Sequence, residues 1–191
     1  MLRLFIALPL PSEVERALER ILDDLRPRSR DVKWVPSGNI HLTVKFLGDT
    51  DEKLVGNING AIDEVAATFA PIENLIDRIG AFPNLRRPRV IWAGGSTPLE
   101  DAAEVARQVD LRMRKLHFPQ EDRPFKAHLT LGRVRQGRRV DELAEYLSGY
   151  ALNPIPMRLD RLVLFKSTLT PKGAIYERLH EAILGESRFE G

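Results

Sequence analysis

Two short segments of the sequence repeat a histidine and a threonine with one residue between them. The segment HLTV begins at His41 and the segment HLTL begins at His128, so the threonines are Thr43 and Thr130. In a β-strand, residues i and i+2 project from the same face, so each histidine should share a face with its threonine while the intervening leucine faces a core. Because the chain contains only four histidines, the repetition predicts one functional site built from both pairs.

The chemistry open to two imidazoles and two hydroxyls is proton transfer around an anion. An imidazole has an unperturbed pKa of about 6.5, so near neutral pH one ring can take a proton from water while the other gives one to a departing oxygen. Each such group typically accelerates a reaction by about 100- to 10,000-fold. Threonine hydroxyls can donate hydrogen bonds to nonbridging phosphate oxygens. The pairs therefore predict phosphoryl chemistry with no cofactor and no metal, and a bell-shaped pH profile with both limbs near neutrality.

Other catalytic motifs are missing from the sequence. It contains no G-x-S-x-G, G-x-x-x-x-G-K-[ST], G-x-G-x-x-G or H-E-x-x-H segment, and no cysteine that could serve as a nucleophile or thiolate ligand. A two-histidine metal site would need a carboxylate or a third imidazole close by, and neither His-x-Thr segment carries one. His117 and His180 lack a threonine partner, so we expect both to be structural.

Two basic residues beyond the threonines are candidates for substrate binding. By strand alternation Lys45 lies on the histidine side, whereas Phe46 lies on the core side. Arg133 also falls on the side away from the histidine by this rule. It can contact substrate only if its strand bulges or ends there.

Composition is that of a globular protein. The 191 residues are 43% hydrophobic and 29% charged, with a formal net charge of +2 and a pI near 9.0. No apolar run approaches the roughly 20 residues that cross a bilayer. The first residues alternate like a strand and do not form a signal peptide. We therefore expect a cytoplasmic protein that does not enter a membrane.

Apolar periodicity divides the chain into strands and helices. A period of two predicts strands over residues 2–8, 31–35, 39–48, 125–134 and 155–169, two more within 71–95, and a last one over 174–184 that suits a helix almost equally well. A helical period predicts helices over 12–25 with Ser12 as the cap, from 49 or 50 to 69, over 98–116 and over 140–147. The predicted fold class is α+β, with two similar halves that each contain one His-x-Thr segment.

Positive charge is concentrated in three runs, residues 26–33, 86–89 and 133–139. Such runs are common on solvated loops and helix ends. They are also typical of a rim that attracts phosphate groups. The sequence leaves both interpretations open.

The paired H-x-T-x segments resemble the signature of the two-histidine phosphoesterase superfamily, and more narrowly the RNA 2′,3′-cyclic phosphodiesterases historically called 2′-5′ RNA ligases. The supporting stretches are RLFIALPLP (3–11), VKWVPSGNIHLTVKFLGD (32–49), IGAFPNLRRPRVIWAGG (79–95), RPFKAHLTLGR (123–133) and RLVLFKSTLTPKGAIYERL (161–179). The resemblance implies that residues 1–191 form one bilobal α+β domain. Two antiparallel sheets would surround a central cleft, with helices on the outside.

The resemblance also implies an activity and assigns roles to the motif residues. RNA 2′,3′-cyclic phosphate ends, including those of tRNA fragments, would be hydrolysed to 2′-phosphomonoesters without metal or ATP, and the reverse 2′-5′ ligation would use the same groups. His41 would donate the proton to the leaving 3′-oxygen and His128 would activate water, although near-symmetry of the motifs lets either ring take either role. Thr43 and Thr130 would bind the phosphate. Small cyclic nucleotides would be accepted in vitro, and we expect a monomer.

Two other functions fit the same cleft. The chain could be a noncatalytic RNA or nucleotide binder, against which the intact histidines argue. It could also be a related enzyme for small cyclic nucleotides or a nucleotide-sugar cyclic phosphate. Turnover of a mononucleotide compared with an oligoribonucleotide separates the two enzymes.

Overall fold

The structure is a computed structural model that describes residues 1–171 and 173–185. The helices in this part of the chain are α1 (Ser12–Leu25), α2 (Val55–Ala66), α3 (Glu100–Lys115) and α4 (Asp141–Ser148). The strands are β1 (Leu2–Pro9), β2 (Val32–Trp34), β3 (His41–Thr50), β4 (Ile72–Ile76), β5 (Arg78–Phe82), β6 (Val90–Gly94), β7 (Leu129–Val134), β8 (Ile155–Leu159), β9 (Arg161–Thr170) and β10 (Gly173–Ile183). None of these helices is long and apolar enough to cross a bilayer.

The strands form two four-stranded sheets and one small sheet, all antiparallel. The first sheet has the order β10-β9-β1-β3 and the second has the order β2-β7-β6-β5. Antiparallel sheets with separate helices confirm the predicted α+β class. The pair β4-β8 is a third sheet that the sequence did not predict.

The centre of the first sheet is β1, which is buried on both faces. Alternate residues of β1 belong to two apolar clusters: Leu4, Ile6 and Leu8 to the main core, Phe5 and Ala7 to a smaller one. Helix α2 contacts β9 and β10, and α3 contacts β3. A strand with apolar residues on both faces is expected where one face meets helices and the other meets more apolar side chains.

Several predicted boundaries were wrong. The stretch 155–169 is two strands, because the chain changes partners at Asp160, where β8 pairs with β4 and β9 pairs with β1. The stretch 71–95 contains three strands instead of two. Strand β3 continues to Thr50, and after a turn α2 begins at Val55, so no helix begins at residue 49 or 50. Ser12 is the first residue of α1 and not its cap.

Candidate active site

Each His-x-Thr segment lies at the start of a strand, and the two strands belong to different sheets. His41 is the first residue of β3, and His128 immediately precedes β7. Both histidines and both threonines are half-buried, whereas Leu42 is 2% exposed and is part of the main core. Strand alternation therefore holds through the first three residues of each motif.

A β-bulge follows the threonine in both strands. Ala7 pairs with Thr43 but Ile6 pairs with Lys45, so the residue between them in β3 has no partner of its own. In β7 the fourth motif residue, Leu131, is left over in the same way between two residues that pair with Trp92 and Ile91 of β6. An extra residue reverses the faces of everything after it. The two motifs thus share a backbone irregularity that the alternation rule did not include.

Lys45 and Phe46 lie on the sides opposite to those predicted, because the bulge precedes them. Lys45 is 4% exposed, and its Nζ donates hydrogen bonds to Asp110 Oδ1 at 2.6 Å and to the Pro119 carbonyl at 2.8 Å. Phe46 is 65% exposed, and its ring centroid lies 5.9 Å from that of Phe5. Lys45 is therefore committed to a buried ion pair with α3, and the structure gives no support to it as a substrate-binding residue.

Arg133 is exposed on the same face as Thr130. The register pairs Arg133 with Val90 and Thr130 with Trp92, and these two β6 residues share a face because they are two apart. Burial raises the pKa of the Tyr176 phenol, and the positive charge of Arg133 opposes that shift. The charge of Arg133, in the second sheet, therefore influences the ionisation of Tyr176, in the first sheet.

Both histidine rings are fixed by the same backbone contact. His41 Nδ1 lies 2.8 Å from the Asn39 carbonyl oxygen, and His128 Nδ1 lies 2.7 Å from the Lys126 carbonyl oxygen. A carbonyl can only accept a hydrogen bond, so each Nδ1 carries a proton. The proton that each ring gains or loses is therefore the one on Nε2.

An aromatic cluster surrounds His41. Its ring stacks on Phe5 with a centroid distance of 4.9 Å, meets the edge of Tyr176 at 5.4 Å and lies 6.0 Å from Phe165. Removal from water disfavours the imidazolium and lowers the pKa of His41 to about 4, against a smaller opposing effect of the Asn39 carbonyl. In the free protein His41 is therefore neutral at pH 7, and the acid limb expected near neutrality does not apply to it.

The surroundings of His128 are different. The edge of its ring meets Phe82 at a centroid distance of 5.1 Å, and the Lys126 ammonium lies 5.8 Å from the same phenyl ring. The near-identical motifs are thus placed in two unlike environments. This asymmetry is the physical basis for giving the two rings different roles.

Sequence reasoning missed the aromatic residues that contact the histidines. Phe5, Phe165, Tyr176 and Phe82 come from strands distant in sequence from the motif that each one contacts. In the sequence each of these residues is an aromatic side chain in an apolar strand. That pattern is equally typical of a core residue, so it does not indicate a contact with a histidine.

The other two histidines lie outside both motifs. His180 Nε2 lies 2.7 Å from Asp63 Oδ1 and joins β10 to α2. His117 follows α3 with a φ of 66°. In residues 1–171 and 173–185, no group of three or more His, Asp or Glu side chains is arranged to hold a metal ion.

Two antiparallel sheets that each present a His-x-Thr pair define the class of two-histidine phosphoesterases. The chain belongs to the LigT-like phosphoesterase family, whose model matches residues 8–92 and 96–176. Both motifs fall within the matched ranges.

Curated relatives and solved structures agree with this family. RNA 2′,3′-cyclic phosphodiesterases from Methanothermobacter thermautotrophicus and Archaeoglobus fulgidus are 35% and 36% identical, covering 91% and 93% of this chain and 94% and 98% of their own. A crystal structure from Thermus thermophilus has a TM-score of 0.77 and 29% identity, covering 96% of this chain and 98% of its own. Escherichia coli LigT with 3′-AMP has a TM-score of 0.76 and 21% identity, covering 97% and 99%, and supports the fold.

Proposed function

We propose that this protein hydrolyses the 2′,3′-cyclic phosphate ends of RNA to 2′-phosphomonoesters. The observation that carries the proposal is the pair of imidazoles on neighbouring sheets, each with Nδ1 bonded to a backbone carbonyl and Nε2 left as the titrating atom. Relatives that match more than nine-tenths of the chain are named for this reaction.

The reaction needs one proton removed and one supplied. A water oxygen attacks phosphorus while one Nε2 takes its proton. The bond from phosphorus to the 3′-oxygen breaks, and the second ring gives its Nε2 proton to that oxygen, which leaves a 2′-phosphomonoester and a free 3′-hydroxyl. The hydroxyls of Thr43 and Thr130, on the same faces as the rings, donate hydrogen bonds to the nonbridging oxygens. Arg133 adds a positive charge to this side of β7.

We assign the acid role to His41 and the base role to His128. A neutral His41 must first gain a proton, and the negative charge of the bound phosphate favours the imidazolium and so raises the pKa from about 4. Binding of the anionic substrate would then create the acid that the reaction needs. No cofactor or metal takes part in these steps, and the reverse ligation would use the same groups in the opposite order.

Two observations support convergence of the motifs on one phosphorus atom. Strands β3 and β7 contact each other although they belong to different sheets. The positive charge of Arg133 opposes the raised pKa of Tyr176, whose ring contacts His41, and this supports a position of the Thr130 face of β7 near the aromatic cluster. We infer a groove that accepts RNA ends, including those of tRNA fragments, and also small cyclic nucleotides. We further infer that the protein acts as a monomer.

The proposal is tested by phosphorus NMR of a nucleoside 2′,3′-cyclic phosphate treated with the protein in excess chelator. We expect the 2′-phosphomonoester alone. His41→Asn and His128→Asn keep a donor for the backbone carbonyl but remove Nε2, so each should lower kcat/KM by at least about 100-fold. His180→Asn, outside both motifs, should retain the wild-type rate. A 3′-phosphate product, a requirement for metal or wild-type turnover in either motif variant would contradict the proposal.

A further inference from the structure

We propose that an arginine-lined pocket at the far end of β7 binds the backbone phosphates of RNA whose cyclic end lies at the histidines. This inference rests on the proposed function and extends it to the polymer. The pocket has a volume of about 330 Å³ and is formed by the loop between β5 and β6 and the segment between β7 and α4. Its charged lining residues are Arg86, Arg87, Arg89, Arg138, Arg139 and Asp141.

The pocket joins two of the three basic runs, which are about 50 residues apart in sequence. Both backbone segments are held in place: Arg89 N donates to the Phe82 carbonyl at 2.7 Å, and Val134 N donates to the Arg89 carbonyl at 3.0 Å. The Asn84 side chain accepts hydrogen bonds from the backbone N–H groups of Arg86 and Arg87 at 3.0 and 3.1 Å. The arginines therefore project from a loop whose backbone is fixed by hydrogen bonds.

Three cations of the pocket have no carboxylate partner among the described residues. Arg86, Arg87 and Arg89 are exposed and form no ion pair there. Arg138 lies 3.4 Å from Asp31, and Arg139 lies 3.1 Å from Asp141, so those two charges are partly neutralised. Exposed guanidinium groups without a carboxylate partner are well suited to bind phosphate oxygens in pairs.

The first basic run is used differently. Arg26 contacts Glu19 at 2.5 Å and Arg28 contacts Asp24 at 3.0 Å, so these guanidinium groups serve α1. The structure thus separates the two interpretations that the sequence left open. Residues 26–28 behave as a helix end, and the loop at 86–89 is the candidate phosphate site.

The pocket lies in line with the second catalytic motif. His128 immediately precedes β7, and the pocket lies just past Val134, the last residue of the strand. At about 3.3 Å per residue, Val134 is about 20 Å from His128 along the strand. Arg133, exposed on the Thr130 face, lies between them. Phe82, whose ring meets His128, also begins the loop that carries Arg86 and Arg87. An RNA chain leaving the histidines along β7 therefore reaches the pocket, whereas a mononucleotide does not.

The experiment compares two substrates, a mononucleoside 2′,3′-cyclic phosphate and an oligoribonucleotide with the same end, over a range of salt concentrations. The test variant is Arg86→Gln/Arg87→Gln/Arg89→Gln. The control is Arg107→Gln/Arg114→Gln/Lys115→Gln, which removes the same charge from exposed positions on α3. We expect the test variant to lower kcat/KM for the oligonucleotide by at least about tenfold at low salt, and to flatten its dependence on log salt by about 2, at about 0.7 per lost phosphate contact.

The mononucleotide separates the outcomes. Its kcat/KM should change by less than about twofold in both variants, and the control should match wild type on both substrates. Equal losses on the two substrates, or an oligonucleotide loss as large in the control, would overturn the pocket while leaving the proposed function intact. A wild-type protein that hydrolyses neither substrate would overturn the proposed function itself.

Discussion

At the scale of single residues, the informative feature is that the same backbone contact holds two imidazoles in unlike surroundings. A carbonyl two residues earlier in the chain fixes the Nδ1 proton of His41 and of His128 alike. His41 stacks on Phe5 within an aromatic cluster, and burial there lowers its pKa to about 4. A proton donor with so low a pKa depends on its anionic substrate for its proton.

A bell-shaped profile of kcat/KM alone does not reveal which ring is the acid. The two titrating rings give the same pair of limbs whichever of them is the acid and whichever is the base. One limb should in either case lie near pH 4, where free His41 titrates.

The residual activity of the His128→Asn variant distinguishes the two assignments. With the other ring removed, a remaining acid loses activity as pH rises through its pKa, whereas a remaining base gains activity. We predict that residual kcat/KM falls above about pH 4, after subtraction of the rate of the variant that lacks both histidines. A residual rate that rises through this range and then levels would make His41 the base.

At the scale of elements, the bulge after each threonine decides which later residues share a face with the histidine. The position after the bulge points away from that face in both strands: Lys45 pairs with α3, and Gly132 lies against β2. A Cβ on Gly132 would come within 2.6 Å of Val32 and 2.8 Å of Trp34. Helix α3 thus leaves room for the long side chain of Lys45, whereas β2 leaves no room for a side chain at position 132.

Removing one partner of the Lys45–Asp110 ion pair should destabilise the protein, because the other charge is then buried without its counterion. Replacement of Asp110 by Ala leaves a Lys45 side chain that is 3% exposed and that keeps, among the described residues, the Pro119 carbonyl as its acceptor. We expect a loss of about 3 kcal/mol in the free energy of unfolding. Lys45→Met removes that charge, so the double variant should lose clearly less than the sum of the single losses. Urea denaturation of the four proteins measures this coupling, and additive losses would contradict it.

The sequence predicted the face on which each candidate site residue lies where that face depends on local pattern. His41, Thr43, His128 and Thr130 could be placed because alternation over three residues is local. Phe46 could not be placed, because the register of β1 against β3 depends on pairing between distant segments. The break at Asp160 was missed for the same reason, since alternation of apolar residues continues while the pairing partner changes. The aromatic cluster and the arginine pocket also required long-range pairing.

At the scale of the whole molecule, one short segment connects the two motifs. Val35 N donates to the carbonyl of Leu131, the bulged residue of the second motif, at 2.8 Å. The chain then turns through Ser37–Asn39 and reaches His41, with the Asn39 carbonyl as the partner of the ring. Asn39 Nδ2 also donates to the Ala174 carbonyl of β10 at 3.0 Å. The path from β2 to β3 therefore contacts the second motif, the first histidine and the edge of the first sheet.

The buried imidazole also makes the stability of the whole molecule depend on pH. The pKa of His41 is about 4 in the folded protein and 6.5 as its ordinary value, so between these values the unfolded chain binds one proton more than the native protein. Stability must therefore fall as pH falls through this window. The difference between the two pKa values lowers the free energy of unfolding by about 3 kcal/mol at pH 4.

We predict that wild type loses about 3 kcal/mol more of its free energy of unfolding between pH 7 and pH 4 than the His41→Asn variant does, because asparagine does not titrate. Urea denaturation at intervals of pH measures the two curves, and all other titrating groups cancel in their difference. NMR titration of the His41 ring in the folded protein supplies the native pKa independently, and added inorganic phosphate should raise it. Parallel curves, together with a ring that titrates near 6.5, would show that the aromatic cluster does not exclude water from His41, and the substrate-assisted protonation of the acid would lose its basis.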